Sequence, residues 1–397
     1  MEKEQWYIKK RVWKAKIQSI FFYMCRIIPI NRKKIVFCCI EGSTGYTCNP
    51  KYIAEELIRR KKGYELVWLV NDTSKKFPRE IKVVHNTLWN RAYHLATAHF
   101  WIDNSRKQLE VRKRKGQIYI QTWHAKLGFK PTCLDRGESF SKIAYLVSKH
   151  DSDMIDYVLS NSKWYDDTLP TGMIYNGAIL HTGSPRCDIL INDKTSVRKK
   201  VRDNYHLPQN AKILMYAPTF RGGSQETERS IQVGQNFPNY QQIICALEKK
   251  ISGPWYIFLR LHPQLVARDL DRKMMKETNK SIIDVSRVDD MYEILAGCDA
   301  FMTDYSSAAF DAALMKFPIF LYVDDYKMYE KERGKLLWNL SELPFPYATN
   351  DEELIREIEN FEESNYINQL DTLFQKINLK EDGKAAAHVV DFIRKLT

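Results

Sequence analysis

From Lys33 onward, short runs of apolar residues alternate with stretches of helical periodicity. The runs at 34–40 (KIVFCCI), 65–70 (ELVWLV), 81–85, 99–103 (HFWID), 117–122 (QIYIQT) and 157–160 are rich in β-branched and aromatic residues. They are apolar throughout instead of alternating, the pattern of strands in a parallel sheet covered on both faces. The pattern resumes after residue 190, at 212–217 (KILMYA), 255–261 (WYIFLRL), 281–285, 299–303 and 318–323 (PIFLYV), with helical stretches such as 240–251 and 289–297 between them. Two successive βαβ series predict an α/β chain of two doubly wound domains. Their boundary is expected near 180–195, around His181-Thr-Gly-Ser-Pro-Arg-Cys-Asp188. From 351 on, DEELIREIENFEE and KAAAHVVDFIRKL read as amphipathic helices, the last one placed to dock back on the other domain.

The first thirty residues follow a different pattern. Trp6, Trp13, Ile17, Ile20, Met24 and Ile27 recur at helical spacing and make one face, with Phe21 beside it and Lys9, Lys10, Lys14 and Lys16 along the flanks. Such a helix either packs on the protein's own core or lies in an anionic membrane surface. The two Trp, two Phe and the Lys/Arg excess favour the second. Trp6, Trp13, Ile17, Ile20, Phe21 and Met24 are then the membrane-binding residues. Charge sharpens the picture. The net charge is +12, and residues 1–34 hold ten Lys/Arg against two Glu, so +8 of it sits there. A nearly neutral body with a basic extension is not a uniformly basic nucleic-acid binder. The longest unbroken apolar run of the N-terminal segment, Ile20 to Cys25, is too short to span a bilayer, and no signal-peptide pattern stands there. The expected location is peripheral, on the cytoplasmic side of the cell membrane. The basic runs at 59–62 and 106–115 read as solvated charge. Eight cysteines without CxxC spacing read as buried free thiols, not a metal cluster or a disulfide framework.

In open parallel sheets, ligands bind beyond the carboxyl ends of the strands. Here four strands end in dense polar motifs: Gln121-Thr-Trp-His124, Tyr216-Ala-Pro-Thr-Phe-Arg221-Gly-Gly, Arg260-Leu-His262-Pro263 and Thr303-Asp-Tyr-Ser-Ser307. Ser306 or Ser307 is a good N-cap for the Ala-rich helix that follows, and free N–H groups and hydroxyls there also suit a phosphate. Asp311, about one turn in, is either a ribose ligand or a solvated helix residue. Arg260 and His262 alternate onto one side of their strand's end. Arg binds phosphate in bidentate fashion and His donates to phosphate oxygens or protonates a leaving group. The alternative is a paired Arg and a satisfied His. Pro218, Thr219 and Arg221 lead into Gly222 and Gly223, which permit close backbone approach to an anion.

Taken in order, Trp123-His124-Ala, Tyr216-Ala-Pro-Thr-Phe-Arg221, Arg260-Leu-His262-Pro and Thr303-Asp-Tyr-Ser-Ser307 through Phe310-Asp311 resemble the CDP-glycerol glycerophosphotransferase family of teichoic acid synthesis. Lys316-Phe-Pro-Ile-Phe-Leu-Tyr322 continues that pattern, and the resemblance spans about residues 34–340. It implies a GT-B architecture, two Rossmann-like domains facing a cleft, with acceptor on the N-terminal domain and nucleotide on the C-terminal one. The divisions expected are 1–33 for the membrane segment, 34–188 for the acceptor domain, 189–375 for the CDP-glycerol domain and 376–397 for the returning helix. The implied reaction is attack of an acceptor hydroxyl on the β-phosphorus of CDP-glycerol, expelling CMP. By motif, His124 is the base, and His262, the second catalytic residue, holds the pyrophosphate with Arg260 and stabilises the departing CMP. Pro218, Thr219, Arg221, Thr303, Asp304, Ser306, Ser307 and Asp311 line the donor pocket. The implied partners are CDP-glycerol, an undecaprenyl-linked saccharide or teichoic acid acceptor, and an anionic membrane surface, with no nucleic acid. No cofactor is required. Beyond Asp304 and Asp311 there is no dense carboxylate cluster for Mg²⁺, which is neither called for nor excluded. Ala125-Lys-Leu-Gly-Phe-Lys130 departs from the Gly and Thr-Pro-Leu of many polymerases and looks more like the primase-type branch. A CDP-ribitol donor, a nucleotide-sugar glycosyltransferase of the same architecture, and a membrane-bound scaffold remain as alternatives.

Overall fold

In a computed structural model, which describes residues 2–61, 63–192, 194–219, 237–261 and 280–397, the apolar runs form two parallel sheets. The chain divides into two units. The first is Met1–Lys126, Thr132–Asp188 and Leu379–Thr397, and the second is Leu127–Pro131 and Ile189–Asn378.

The first unit holds β1 (Asn31–Cys38), β2 (Glu65–Val70), β3 (Ile81–His85), β4 (Ala98–Asp103), β5 (Ile118–Gln121), β6 (Tyr157–Ser160) and β7 (Ala178–His181). Their order is β3-β2-β1-β4-β5-β6-β7, and every described pairing is parallel. Successive side chains point to opposite faces, so both faces are apolar and both must be covered. Val36 and Cys38 join Phe22, Ala92, Leu95 and Trp101 on one face. Ile35, Phe37 and Cys39 join Ile53, Leu57, Trp68 and the C-terminal Val389, Val390 and Ile393 on the other. The first face is packed by helices α1 (Glu2–Met24) and α3 (Leu88–Thr97), and the second by α2 (Cys48–Arg59) and the helix Ala385–Lys395. Side-chain caps start several helices. Thr87 accepts from Asn90 N (3.2 Å) for α3, and Ser141 accepts from Ala144 N (3.3 Å) for α4 (Lys142–Ser152).

The second unit holds β8 (Lys212–Tyr216), β9 (Trp255–Leu259), β10 (Ile282–Asp284), β11 (Ala300–Thr303), β12 (Ile319–Tyr322) and β13 (Tyr347–Ala348), in the order β10-β9-β8-β11-β12-β13, again parallel throughout. Each sheet therefore reverses its winding once, between β1 and β4 in the first unit and between β8 and β11 in the second. That reversal opens a crevice at the strands' carboxyl ends.

Two edge strands, β7 and β13, were not in the sequence pattern. Helix α1 carries two faces. Ala15, Ser19 and Phe22, with Cys25 in the turn that follows, are buried in the first unit, while Trp6 and Trp13 are 64% and 66% exposed and Ile17, Ile20 and Met24, with Ile27 in that turn, also stand open. Phe21, expected among the membrane-binding residues, is instead half-buried edge-on against Trp89. Among the described residues no helix is long and apolar enough to cross a membrane. Seven of the eight cysteines are buried free thiols, and Cys245 is exposed.

Candidate active site

At the end of β5 the chain turns sharply. Trp123 takes a left-handed conformation (φ +48°), a strained choice for a bulky residue that must be held from outside. Three contacts hold it. The Gln121 side chain accepts from Trp123 N (3.0 Å), and Asn49 Nδ2 donates to the carbonyls of Thr122 (3.3 Å) and Trp123 (2.7 Å). Thr122 is tied through N and Oγ1 to the Asp103 carbonyl at the end of β4. Asp103 in turn accepts from the Asn104 and Ser105 amides and pairs with Lys107 in the interior. Asp151 accepts from Lys107 N and the Tyr119 hydroxyl, and burial pushes its carboxyl up to about 7.

The turn presents His124. Its Nδ1 lies 2.7 Å from the Asn104 carbonyl, which can only accept, so the proton sits on Nδ1 and Nε2 keeps its lone pair. Burial, aided by the Arg186 and Arg106 charges, lowers the ring's pKa to about 4, partly opposed by that hydrogen bond. The ring is therefore neutral at ordinary pH. Arg106 lies over the Trp123 ring (4.7 Å) and donates to Cys133 Sγ (2.8 Å). The loop after β1 adjoins this turn, with Ile40 N donating to Asn104 Oδ1 (2.8 Å) and Glu41 N to Ser105 Oγ (2.9 Å). Asn49, Asn104, Arg106 and Arg186 were not singled out from sequence. Only their folded positions, 74 residues apart in the case of Asn49 and Trp123, reveal them.

In the second unit the carboxyl ends of β8 and β11 interlock across the winding reversal. Asp304, buried, accepts from Thr219 N with both oxygens (3.0 Å each) and from Thr219 Oγ1 (2.9 Å). The Thr303 hydroxyl donates to the Ala217 carbonyl (2.6 Å), and Pro218 is buried between these ties. Thr303 thus shapes the loop with a hydroxyl already committed. Ser306 and Ser307 are half-buried. Ser306 Oγ accepts from Ala308 N (3.3 Å), while Ser307 makes no side-chain cap. Asp311 is buried and accepts from the Tyr292 hydroxyl. Arg260 spends Nη1 on the carbonyls of Val285 (2.7 Å), Ser286 (2.9 Å) and Val288, and burial lowers its pKa. Its partners are loop carbonyls, where the sequence suggested a buried Asp or a phosphate. Arg221 and His262 lie outside the described residues. Leu127–Pro131 packs in this unit, with Phe129 against Phe310 (5.0 Å) and the Gly128 carbonyl accepting from Trp338 Nε1 (3.2 Å). A Cβ on Gly128 would sit 3.6 Å from that of Ser307, so Leu127–Pro131 reaches the serine loop within this unit.

Among the described residues no group of three or more His, Cys, Asp or Glu is placed to hold a metal ion. Paired Rossmann-like sheets, one with a neutral histidine and one with a hydroxyl- and amide-rich loop at the winding reversal, define a two-domain α/β enzyme architecture. The chain belongs to the CDP-glycerol:poly(glycerophosphate) glycerophosphotransferase family, whose model matches residues 20–395. It is 27% identical to a teichoic acid poly(glycerol phosphate) polymerase of Staphylococcus epidermidis, covering 96% of this chain but 53% of the relative. The chain thus spans about half the length of the first curated relatives it matches. It is 29% identical to a teichoic acid ribitol-phosphate primase of Bacillus spizizenii, covering 96% of each. The solved wall teichoic acid polymerase TagF superposes with a TM-score of 0.79 at 26% identity, over 98% of this chain and 97% of that one. A histidine variant of it soaked with CDPG gives the same TM-score.

Proposed function

We propose that this chain transfers glycerol phosphate from CDP-glycerol to a hydroxyl of a lipid-linked acceptor, releasing CMP, in the synthesis of wall teichoic acid or a related cell-surface polymer. The observation that carries the reading is the state of His124, a neutral ring with its proton on Nδ1 and an accepting Nε2. In the proposed step the acceptor hydroxyl gives its proton to Nε2 while its oxygen bonds to the β-phosphorus. The bond from that phosphorus to the bridging oxygen breaks, and CMP leaves with the electron pair. Such a transfer depends on positioning and charge neutralisation more than on covalent catalysis.

On this reading the architecture is GT-B. Residues 34–188 receive the acceptor, 189–375 hold CDP-glycerol, 376–397 return to the first domain, and 1–33 meet the membrane from the cytoplasmic side. Ser306, Ser307, Arg221 and His262 address the phosphates. Asp304, Thr303, Pro218 and Thr219 set the shape of the donor loop, Arg260 holds the wall beside it, and Asp311 anchors the following helix. The exposed Trp6, Trp13, Ile17, Ile20 and Met24 support the membrane reading.

The test is incubation with CDP-glycerol or CDP-ribitol and a lipid-linked disaccharide, with mass spectrometry of the products. Glycerol phosphate addition with release of CMP is expected. CDP-ribitol is the second reading, favoured by the likeness to the ribitol-phosphate primase, and addition from CDP-ribitol alone would install it. No addition from either donor overturns both.

A further inference from the structure

On the first unit, Ile8 of α1, Leu134, Gly137, Phe140 and Tyr145 and Leu146 of α4 line an open cavity of about 480 Å³. Its one charged lining residue is Lys142, exposed at the first turn of α4. Leu134, Tyr145 and Leu146 are 43%, 40% and 36% exposed, so three apolar side chains from two segments stand open around one hollow. Leaving such a surface wet forfeits burial energy, which marks it as a place something apolar occupies.

We infer that this groove takes the hydrocarbon chain of the acceptor's lipid carrier, with Lys142 meeting the carrier's phosphate; this rests on the reading of a lipid-linked acceptor. Three observations select that occupant. The lining is apolar with a single cation at its edge, complementary to a hydrocarbon chain ending in an anion. The groove is continuous with α1, where Ile8 forms its wall and the neighbouring Trp6 and Tyr7 stand exposed, so on the reading that α1 meets the membrane the groove opens beside the lipid. Its other wall leads to the proposed base. Leu134 follows Cys133, which accepts from Arg106, and Arg106 lies over Trp123, next to His124. A chain seated here has its head on the same unit as that turn.

The test uses the full chain and dodecyl phosphate below its micelle concentration, titrated by calorimetry into wild type, Leu134→Glu and Leu146→Glu. Both positions are exposed, so the variants should fold, and melting curves check it. Each should weaken dodecyl phosphate by about tenfold or more, because a carboxylate must be desolvated against the chain. Sedimentation with phosphatidylglycerol vesicles and binding of CDP-glycerol should not change. Lys142→Glu should weaken dodecyl phosphate and leave dodecyl maltoside, which has no charge, unaffected. Equal binding by wild type and variants overturns the inference. So does parallel loss of vesicle sedimentation, which makes the groove part of a general adsorbing face, and so does a fall in apparent mass, which makes a second copy the occupant. Failure of wild type to bind CDP-glycerol would count against the proposed function and leave the groove standing.

Discussion

Acidification offers a direct probe of His124. A histidine at its ordinary pKa of about 6.5 is only about 3% neutral at pH 5, so a base of that kind loses about thirtyfold in rate between pH 8 and pH 5. His124 is lowered to about 4, chiefly by burial and then by Arg186 and Arg106, against the pull of the Asn104 carbonyl. At pH 5 about nine-tenths of such rings remain neutral. The expected profile of kcat/KM for transfer to a soluble acceptor analogue is therefore nearly flat from pH 8 to pH 5. The same preparation should lose about 10²–10⁴-fold in rate with His124→Ala, the usual cost of a missing general base. CDP-glycerol binding, followed by calorimetry, should stay near wild type in that variant. An acid limb near 6.5 in wild type would refute the environment assigned to the ring. Loss of donor binding together with activity in His124→Ala would place the ring in the donor pocket instead.

Asp304→Ala leaves two donors of Thr219, its N–H and its hydroxyl, without their acceptor, and each charged hydrogen bond is worth about 1.5–3 kcal/mol; calorimetry should show CDP-glycerol affinity falling at least tenfold, and unchanged affinity would detach that loop from the donor. Phe22→Ala should cost about 3–5 kcal/mol by urea unfolding, whereas Trp6→Ala with Trp13→Ala should stay within about 0.5 kcal/mol each and lose vesicle binding; the reverse ranking would mean the two faces of α1 are misassigned. Glu381 accepts from Ser184 N with both oxygens, and burial raises its pKa to about 7. A raised carboxylate pKa contributes stability that is present below the unfolded value and lost as pH rises through the folded one. Glu381→Gln should therefore flatten the fall in Tm between about pH 4.5 and 7, and an unchanged slope would show that Glu381 does not titrate there.

The polar motifs were legible because they end strands whose other residues are all apolar, and position alone marks them as ligand-facing. What they touch was not legible. Arg260 reads as an anion ligand until the loop 285–288 folds over it, and Thr303 reads as a pocket hydroxyl until the Ala217 carbonyl accepts its hydrogen bond. Pairings between residues 85 or more apart leave no local signal. β13 is two residues long, too short for any period, and β7 has only four, partly exposed. Helix α1 showed one face because its buried side is made partly of Ala15 and Ser19. Small residues there let the helix approach α3 closely but add little to an apolar count.

The first unit is not finished when its first 188 residues are made. Val389, Val390 and Ile393 fill the core beside Ile53 and Leu57, so one face of the seven-stranded sheet waits for the last helix. The whole of Ile189–Asn378 is synthesised first, and at about 5–20 residues per second that takes roughly 10–40 s. By the end of that interval the second unit has its entire sequence available while the first still carries an uncovered apolar surface. Order of synthesis and order of completion are thus inverted. The nascent chain's vulnerability to chaperone capture or aggregation should fall on the segment that left the ribosome earliest, and should end when residues 385–395 emerge.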